Sequence, residues 1–196
     1  MQLPAEVIKT LEILSLLAGV GYAVLAARRN RLCWIAGSVG SLCLAVSSAV
    51  GNLPMQAGLQ VFYVAMSAYG WWNWTRNSGN GELPVGLWPL RWHIGAAAGI
   101  TLLSFLSAHW LAGATRASWP LLDSLTTWFS LLATWLAAKA KLENWLYWIA
   151  IDGVLVFLFY SQGLPFIALQ FLILIVIAAG GYVAWRRRLD AQMVPA

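Results

Sequence analysis

Seven stretches of apolar residues recur along the chain, each closed by a short run of charged or turn-forming residues. They cover 8–27, 32–50, 53–74, 94–112, 120–139, 144–162 and 163–185. A helix that crosses the hydrocarbon core of a bilayer takes about 20 apolar residues. The pattern therefore predicts an all-α integral membrane protein with seven transmembrane helices. The first stretch resembles the core of a signal peptide in length, but only Lys9 precedes it, so it is read as a retained helix.

Composition narrows the function. Of 196 residues, 61% are apolar and 10% charged; soluble domains are nearer half apolar and a quarter charged. A soluble enzyme is excluded. The loops leave no room for a nucleotide-binding domain, so the chain alone cannot be an ATP-driven pump. The net charge of +5 resides in loops and points to orientation in the membrane rather than to nucleic acid. One side carries Arg28, Arg29, Arg31, Arg76, Arg91, Lys139, Lys141, Arg186, Arg187 and Arg188; the other carries Lys9 and Arg116. The N-terminus is expected outside and the C-terminus in the cytoplasm. Many of the thirteen Trp fall near helix ends, where interfacial anchoring accounts for them; Trp72, Trp74 and Trp145 are read this way. Cys33 and Cys43 lie ten residues apart in one helix, about 15 Å by helix rise, and cannot pair.

The chain also repeats itself. Shifted by 111 residues, positions 11–76 match 122–187 at fourteen places, where composition alone gives about six. The informative matches are Trp34 with Trp145, Leu53-Pro54 with Leu164-Pro165, Gly70 with Gly181, Trp74 with Trp185 and Arg76 with Arg187. The expected organisation is a first three-helix repeat over 1–76, a linker with the fourth helix over 77–118, and a second three-helix repeat with a short cytoplasmic tail over 119–196. The linker helix inverts the chain, so the repeats run parallel. Parallel repeats about an axis along the membrane normal are a transporter architecture, with a substrate site between the halves.

Few polar residues lie inside the spans, and each asks for a partner. Asp152 sits near the middle of span 6 among Ile151, Val154 and Leu155. A carboxylate there costs about 2.5–3.5 kcal/mol even on insertion scales. No Lys or Arg lies at similar depth, so water, a proton, a neighbouring hydrogen bond or a cationic ligand must meet it. Trp145, Trp148 and Asp152 share a face, with Asn144 on its flank. Indoles beside a carboxylate suit a flat cation. Span 3 presents Gln60, Tyr63, Ser67, Gly70, Trp71 and Trp74 as one stripe, extended outward by Gln56. Such groups serve either interhelical hydrogen bonds or a ligand. Span 5 presents Ser124, Thr127, Trp128, Leu131 and Trp135, and span 7 adds Gln170. Glu12 and Asp123 are repeat equivalents near helix starts, where the helix dipole favours them. Gly19, Ala23 and Ala27 form a small-residue face for helix packing. Enzyme signals are missing: His93, placed in a loop, and His109 have no partner at metalloprotease spacing, and there is no nucleophile elbow or P-loop. No metal or cofactor is expected.

The run 60–74, QVFYVAMSAYGWWNW, and the run 123–165, DSLTTWFSLLATWLAAKAKLENWLYWIAIDGVLVFLFYSQGLP, resemble the PnuC family of bacterial vitamin transporters. The resemblance rests on Tyr69-Gly70-Trp71 and on the series Glu143-Asn144-Trp145, Trp148 and Asp152, and it extends over nearly the whole chain. It implies a fold similar to SWEET transporters, with spans arranged 3+1+3, and a homotrimer in the bacterial inner membrane. It implies uptake of nicotinamide riboside by facilitated diffusion, with a cytosolic kinase trapping the substrate; relatives carry thiamine or riboflavin. The family's substrate site lies between spans 3 and 6, which maps onto Gln60, Asn144, Trp148 and Asp152. Gln60 and Asn144 are then expected to hydrogen-bond the amide or ribose, Trp148 with Trp128 to stack on the ring, and Asp152 to balance its charge. Tyr63, Trp71, Ser124 and Thr127 complete the expected contacts. Some nicotinamide riboside carriers have Asn in place of Asp152. Thiamine is also a flat, permanent cation, and Asp152 suits either. Two further readings are a vitamin-binding subunit that needs an ATPase partner and a membrane scaffold or sensor that transports nothing.

Overall fold

The computed structural model describes residues 4–50, 54–76, 83–114 and 119–193. The 51–52 turn, Leu53 and Arg116 of the sequence reading lie outside the described residues, as does the side chain of Gln56. Seven helices follow one another: α1 Ala5–Ala27, α2 Cys33–Val50, α3 Pro54–Arg76, α4 Leu90–Ala114, α5 Pro120–Ala138, α6 Asn144–Ser161 and α7 Pro165–Met193. Among the described residues there is no strand, only an isolated bridge between Gly86 and Lys141. The expected seven-helix fold is the observed one. α1, α2, α5, α6 and α7 are long and apolar enough to cross a membrane. α3 and α4, at 23 and 25 residues, have the length to cross as well; α3 is the more polar of the two, through Gln60, Ser67 and Asn73. Leucines and other large apolar side chains such as Leu17, Leu42, Val61, Leu106, Phe166 and Val176 point outward, as a lipid-facing surface requires.

The helix ends follow local rules. Pro54, Pro120 and Pro165 open α3, α5 and α7, where a missing N–H costs nothing. α1, α5 and α6 end in left-handed residues: Arg29 at φ 62°, Ala140 at 53° and Gly163 at 75°. Each is followed by a backbone bond that closes the last turn, Asn30 N–H to Leu25 O, Lys141 N–H to Leu136 O and Leu164 N–H to Phe159 O, all 2.9 Å. α7 runs on past the expected end at 185, its tail carrying an exposed Arg186–Asp190 pair at 3.1 Å. α1 begins early, which leaves Glu12 beyond its first turn and Glu6 within it.

The chain divides into two compact units, Met1–Pro84 with Ala138–Ala140, and Val85–Ala137 with Lys141–Ala196. In the first, α2 packs on α1 and α3. α1 packs on α2 at Gly40, where a Cβ would lie 3.3 Å from Ser15 O and Ala18 Cβ and 3.7 Å from Gly19 N; a Cβ on Gly19 itself would face open space. Asn73 donates to the Ala138 carbonyl at 2.8 Å and so satisfies a group that a helix end leaves open. In the second unit, α6 packs on α7.

Both units contain the same aromatic lock. Trp34 on α2 lies against Gly70 on α3 and meets Trp74 edge-on, ring centres 5.5 Å apart at 88°. Trp145 on α6 lies against Gly181 on α7 and meets Trp185 at 5.5 Å and 90°. The three positions differ by 111 residues throughout. All four indoles are buried, so Trp74 and Trp145 are core residues and not the interfacial anchors expected. A Cβ on Gly181 would come within 2.7 Å of the Trp145 ring, whereas Gly180 next to it faces open space. Gly181→Ala is therefore expected to cost about 1–3 kcal/mol, the price of overpacking a filled core. Gly180→Ala should be neutral or slightly stabilising. Thermal unfolding of both variants in detergent checks this; equal melting temperatures would contradict the lock.

Candidate functional site

In the first unit the α3 stripe splits into two roles. Its later members are used for packing: Ser67, Gly70 and Trp74 are buried, with Ser67 Oγ close to Gly37 and Trp74 under the Arg29 guanidinium, 4.8 Å from its carbon to the ring centre. Trp71 is half-buried, with the Arg31 guanidinium 5.6 Å above its ring. Gln60 stands apart. It is 4% exposed, yet its amide makes no hydrogen bond among the described residues. Tyr63, one turn on, is half-buried and meets Phe62 edge-on.

In the second unit Asp152 is 4% exposed and sits mid-helix on α6. Its carboxylate has no hydrogen-bond or ion-pair partner among the described residues. The hydrogen bond between helices that could have explained it is thus not made there. Trp148, one turn before, is half-buried. Asn144, one turn earlier still, is 1% exposed, and its Nδ2 donates to the Lys141 carbonyl at 2.6 Å. That donor serves the α5–α6 corner, which leaves Oδ1 as the free end of the amide. Residues 144, 148 and 152 follow each other at steps of four and so lie on one face.

On α5, Ser124 is buried and Thr127 and Trp128 are half-buried. The Trp128 indole N–H donates to Ser107 Oγ of α4 at 3.2 Å. Ser107 in turn donates to the Leu103 carbonyl at 2.8 Å. This bond fixes the ring of Trp128. Asp123 and Glu12 are exposed.

The sequence reading missed a second polar cluster. His93 lies in α4 rather than in a loop, and it has partners: Nδ1 is 2.9 Å from Tyr147 Oη, and Nε2 is 3.7 Å from Glu143 Oε1. These residues come together only through folding, since 54 and 50 positions separate them. The repeat held one clue, for the counterparts of Glu143 and Tyr147 are Leu32 and Ala36. Among the described residues no group of His, Cys, Asp and Glu is arranged to hold a metal ion.

Comparison with known proteins agrees with this architecture. A family profile described as Nicotinamide mononucleotide transporter matches residues 9–187. Two relatives, each called Nicotinamide riboside transporter PnuC, come from Escherichia coli (strain K12) and Shigella flexneri. Each is 28% identical over 153 residues, which span 65% of this chain and 64% of the relative. The match thus covers a little under two thirds of those relatives' length. The fold is similar to a solved structure, the crystal structure of the vitamin B3 transporter PnuC, with a TM-score of 0.72, 18% identity, and coverage of 92% of this chain and 82% of that one. These relatives are membrane transporters and not enzymes. Because the profile spans nearly the entire helical chain and the seven-helix fold is shared, this protein belongs to the nicotinamide mononucleotide transporter family, the PnuC family that its Tyr-Gly-Trp and Glu-Asn-Trp runs resemble.

Proposed function

We propose that this chain takes up nicotinamide riboside across the bacterial inner membrane by facilitated diffusion, with phosphorylation in the cytosol trapping the substrate. The observation that carries the reading is Asp152: a buried carboxylate with no hydrogen-bond or ion-pair partner among the described residues, one turn from a tryptophan. A pyridinium ring supplies what this face lacks, a delocalised positive charge that also stacks on an indole. The names of the relatives in Escherichia coli and Shigella flexneri support the substrate. The charge balance favours the riboside over the mononucleotide. A phosphate needs a counter-cation, and no Lys or Arg lies near the middle of any span.

In this reading Trp148, with Trp128, stacks on the ring and Asp152 balances its charge. Gln60 and the Oδ1 of Asn144 hydrogen-bond the amide or ribose. Tyr63, Trp71, Ser124 and Thr127 are further contacts. The repeats 1–76 and 119–196 move about the site, with 77–118 as the linker. The assembly is a homotrimer, and the kinase needs no contact with it. The carrier-only reading accounts for the internal duplication without an ATPase partner.

Asp152→Ala is expected to lower uptake at least about tenfold, about 1.4 kcal/mol of lost ligand interaction, while the protein still inserts. Uptake in proteoliposomes checks this, and unchanged uptake would refute the assigned role. Asp152 also suits thiamine, which is a flat cation too. Calorimetric titration of the purified protein with both vitamins separates the two: nicotinamide riboside is expected to bind, and binding of thiamine alone would move the substrate while keeping the site. The ten basic residues expected on one side support a cytoplasmic C-terminus. A C-terminal fluorescent-protein fusion should therefore fluoresce, and a C-terminal alkaline phosphatase fusion should be inactive; the reverse pattern would invert the topology.

A further inference from the structure

Glu143 immediately precedes α6, yet its carboxylate does not cap that helix. It reaches instead to the segment 85–89, which precedes α4. Oε1 accepts the Trp88 backbone N–H at 2.8 Å and lies 3.7 Å from His93 Nε2. The same segment is bound to the α5–α6 corner twice more. The Leu142 N–H donates to the Gly86 carbonyl at 3.0 Å, and Lys141 Nζ donates to the Leu87 carbonyl at 3.2 Å. Aromatic rings close the sides. Trp88 meets His93 edge-on at 4.7 Å and Trp135 at 5.7 Å, and His93 and Phe129 both stack on Tyr147. The segment is a strap across the corner, and Glu143 is its clasp.

The strap belongs to the second corner by sequence. The first corner has the same backbone course, with a left-handed Arg29 where the second has Ala140 and matching bonds into the last turn of the preceding helix. At the position of Glu143 it has Leu32, which is exposed. The clasp also carries a cost, because Glu143 Oε2 and His93 Nε2 are sealed from solvent without a hydrogen bond among the described residues. Packing alone gives no reason to bury a carboxylate there.

Helix geometry supplies one. Glu143 and Tyr147 are four apart and share a face; both are pinned to the strap side through His93. Measured from Glu143, Asn144 lies about 100° around the axis, Trp148 about 140° and Asp152 about 180°, so this set occupies the side of α6 away from the clasp. Fixing the first pair fixes the rotation of α6 and so the direction of the second set. We propose that Glu143 is a positioning residue for the substrate face of α6: by clasping the strap 85–89 it sets the helix rotation at which Trp148 and Asp152 meet the ligand. This rests on the transport reading above.

The test uses the full-length protein, with nicotinamide riboside and thiamine titrated by calorimetry, uptake kinetics in proteoliposomes and melting temperature in detergent. Glu143→Gln keeps the acceptor for the Trp88 N–H and is expected to bind within about twofold of wild type. Glu143→Ala removes it and is expected to weaken binding about tenfold, raising KM more than it lowers the maximal rate. His93→Ala opens the clasp from outside α6 and should weaken binding in the same direction, about threefold, which keeps the role readable if Glu143→Ala does not insert. Three results would overturn the proposal. One is unchanged affinity in both Ala variants when wild type binds. Another is a fall in melting temperature and maximal rate with KM constant, which marks a purely structural role. The third is a Gln variant as weak as the Ala variant, which marks a direct charge contact. If wild type binds neither vitamin, the transport reading falls first and the positioning role falls with it.

Discussion

The contact on which each unit depends is an indole seated on a glycine. A bilayer removes the usual drive for helix association, because lipid tails are as apolar as leucine. Close packing must then come from shape. Gly70 and Gly181 each give up a side chain so that an indole plate can lie against the backbone. Trp74 and Trp185 then close over the edges of those plates, one helical turn further on. The lock fixes the spacing of α2 against α3 and of α6 against α7. Every candidate ligand residue on α3 and α6 takes its position from it. The corners reinforce it: the left-handed Arg29 and Ala140 turn the chain at once, so Trp34 and Trp145 begin their helices already in register.

The division of labour on α3 follows from this. A stripe of polar and aromatic residues at steps of three and four looks uniform in sequence. In the fold its C-terminal end is committed to the lock, since Ser67 and Gly70 face α2. Its other end is not: Gln60 is as deeply buried but has no hydrogen bond of its own among the described residues. The same contrast holds on α6, where Trp145 is committed to Trp185 and Asn144 to the Lys141 carbonyl, while Asp152 remains partnerless among the described residues. A polar group whose burial is explained by a neighbour says little about function. One whose burial is unexplained is the better pointer, because the fold bears its cost without a visible return.

Much of this was legible from residues alone. The seven helices follow from apolar runs bounded by prolines and charges, and helix length in a bilayer admits few alternatives. The family resemblance read from 60–74 and 123–165 agrees with the profile that spans 9–187. Trp74 and Trp145 were misread because a tryptophan near a helix end is usually interfacial. The repeat carried the correcting signal, for these tryptophans recur at a fixed offset together with the glycines they cover, and an anchor in lipid has no need of a matching glycine. His93 was misplaced because its partners, Glu143 and Tyr147, lie on a helix far along the chain. No local spacing rule reaches that distance.

The duplication also shows where symmetry stops. Equivalent positions keep Trp, Gly and Pro at the lock and the helix starts. They do not keep the chemistry. Trp148 corresponds to Gly37, Asp152 to Ser41, Asn144 to Cys33 and Gln60 to Phe171. At Gly37 the first unit has closed the space itself: a Cβ there would lie 3.1 Å from the Tyr22 ring and 3.3 Å from Ser67 Oγ. The helix position that carries an indole in the second unit is therefore filled by packing in the first. In the proposed reading α6 carries the aromatic face and the charge, and its counterpart α2 is left as scaffold, so the duplication has kept the packing and let the chemistry diverge.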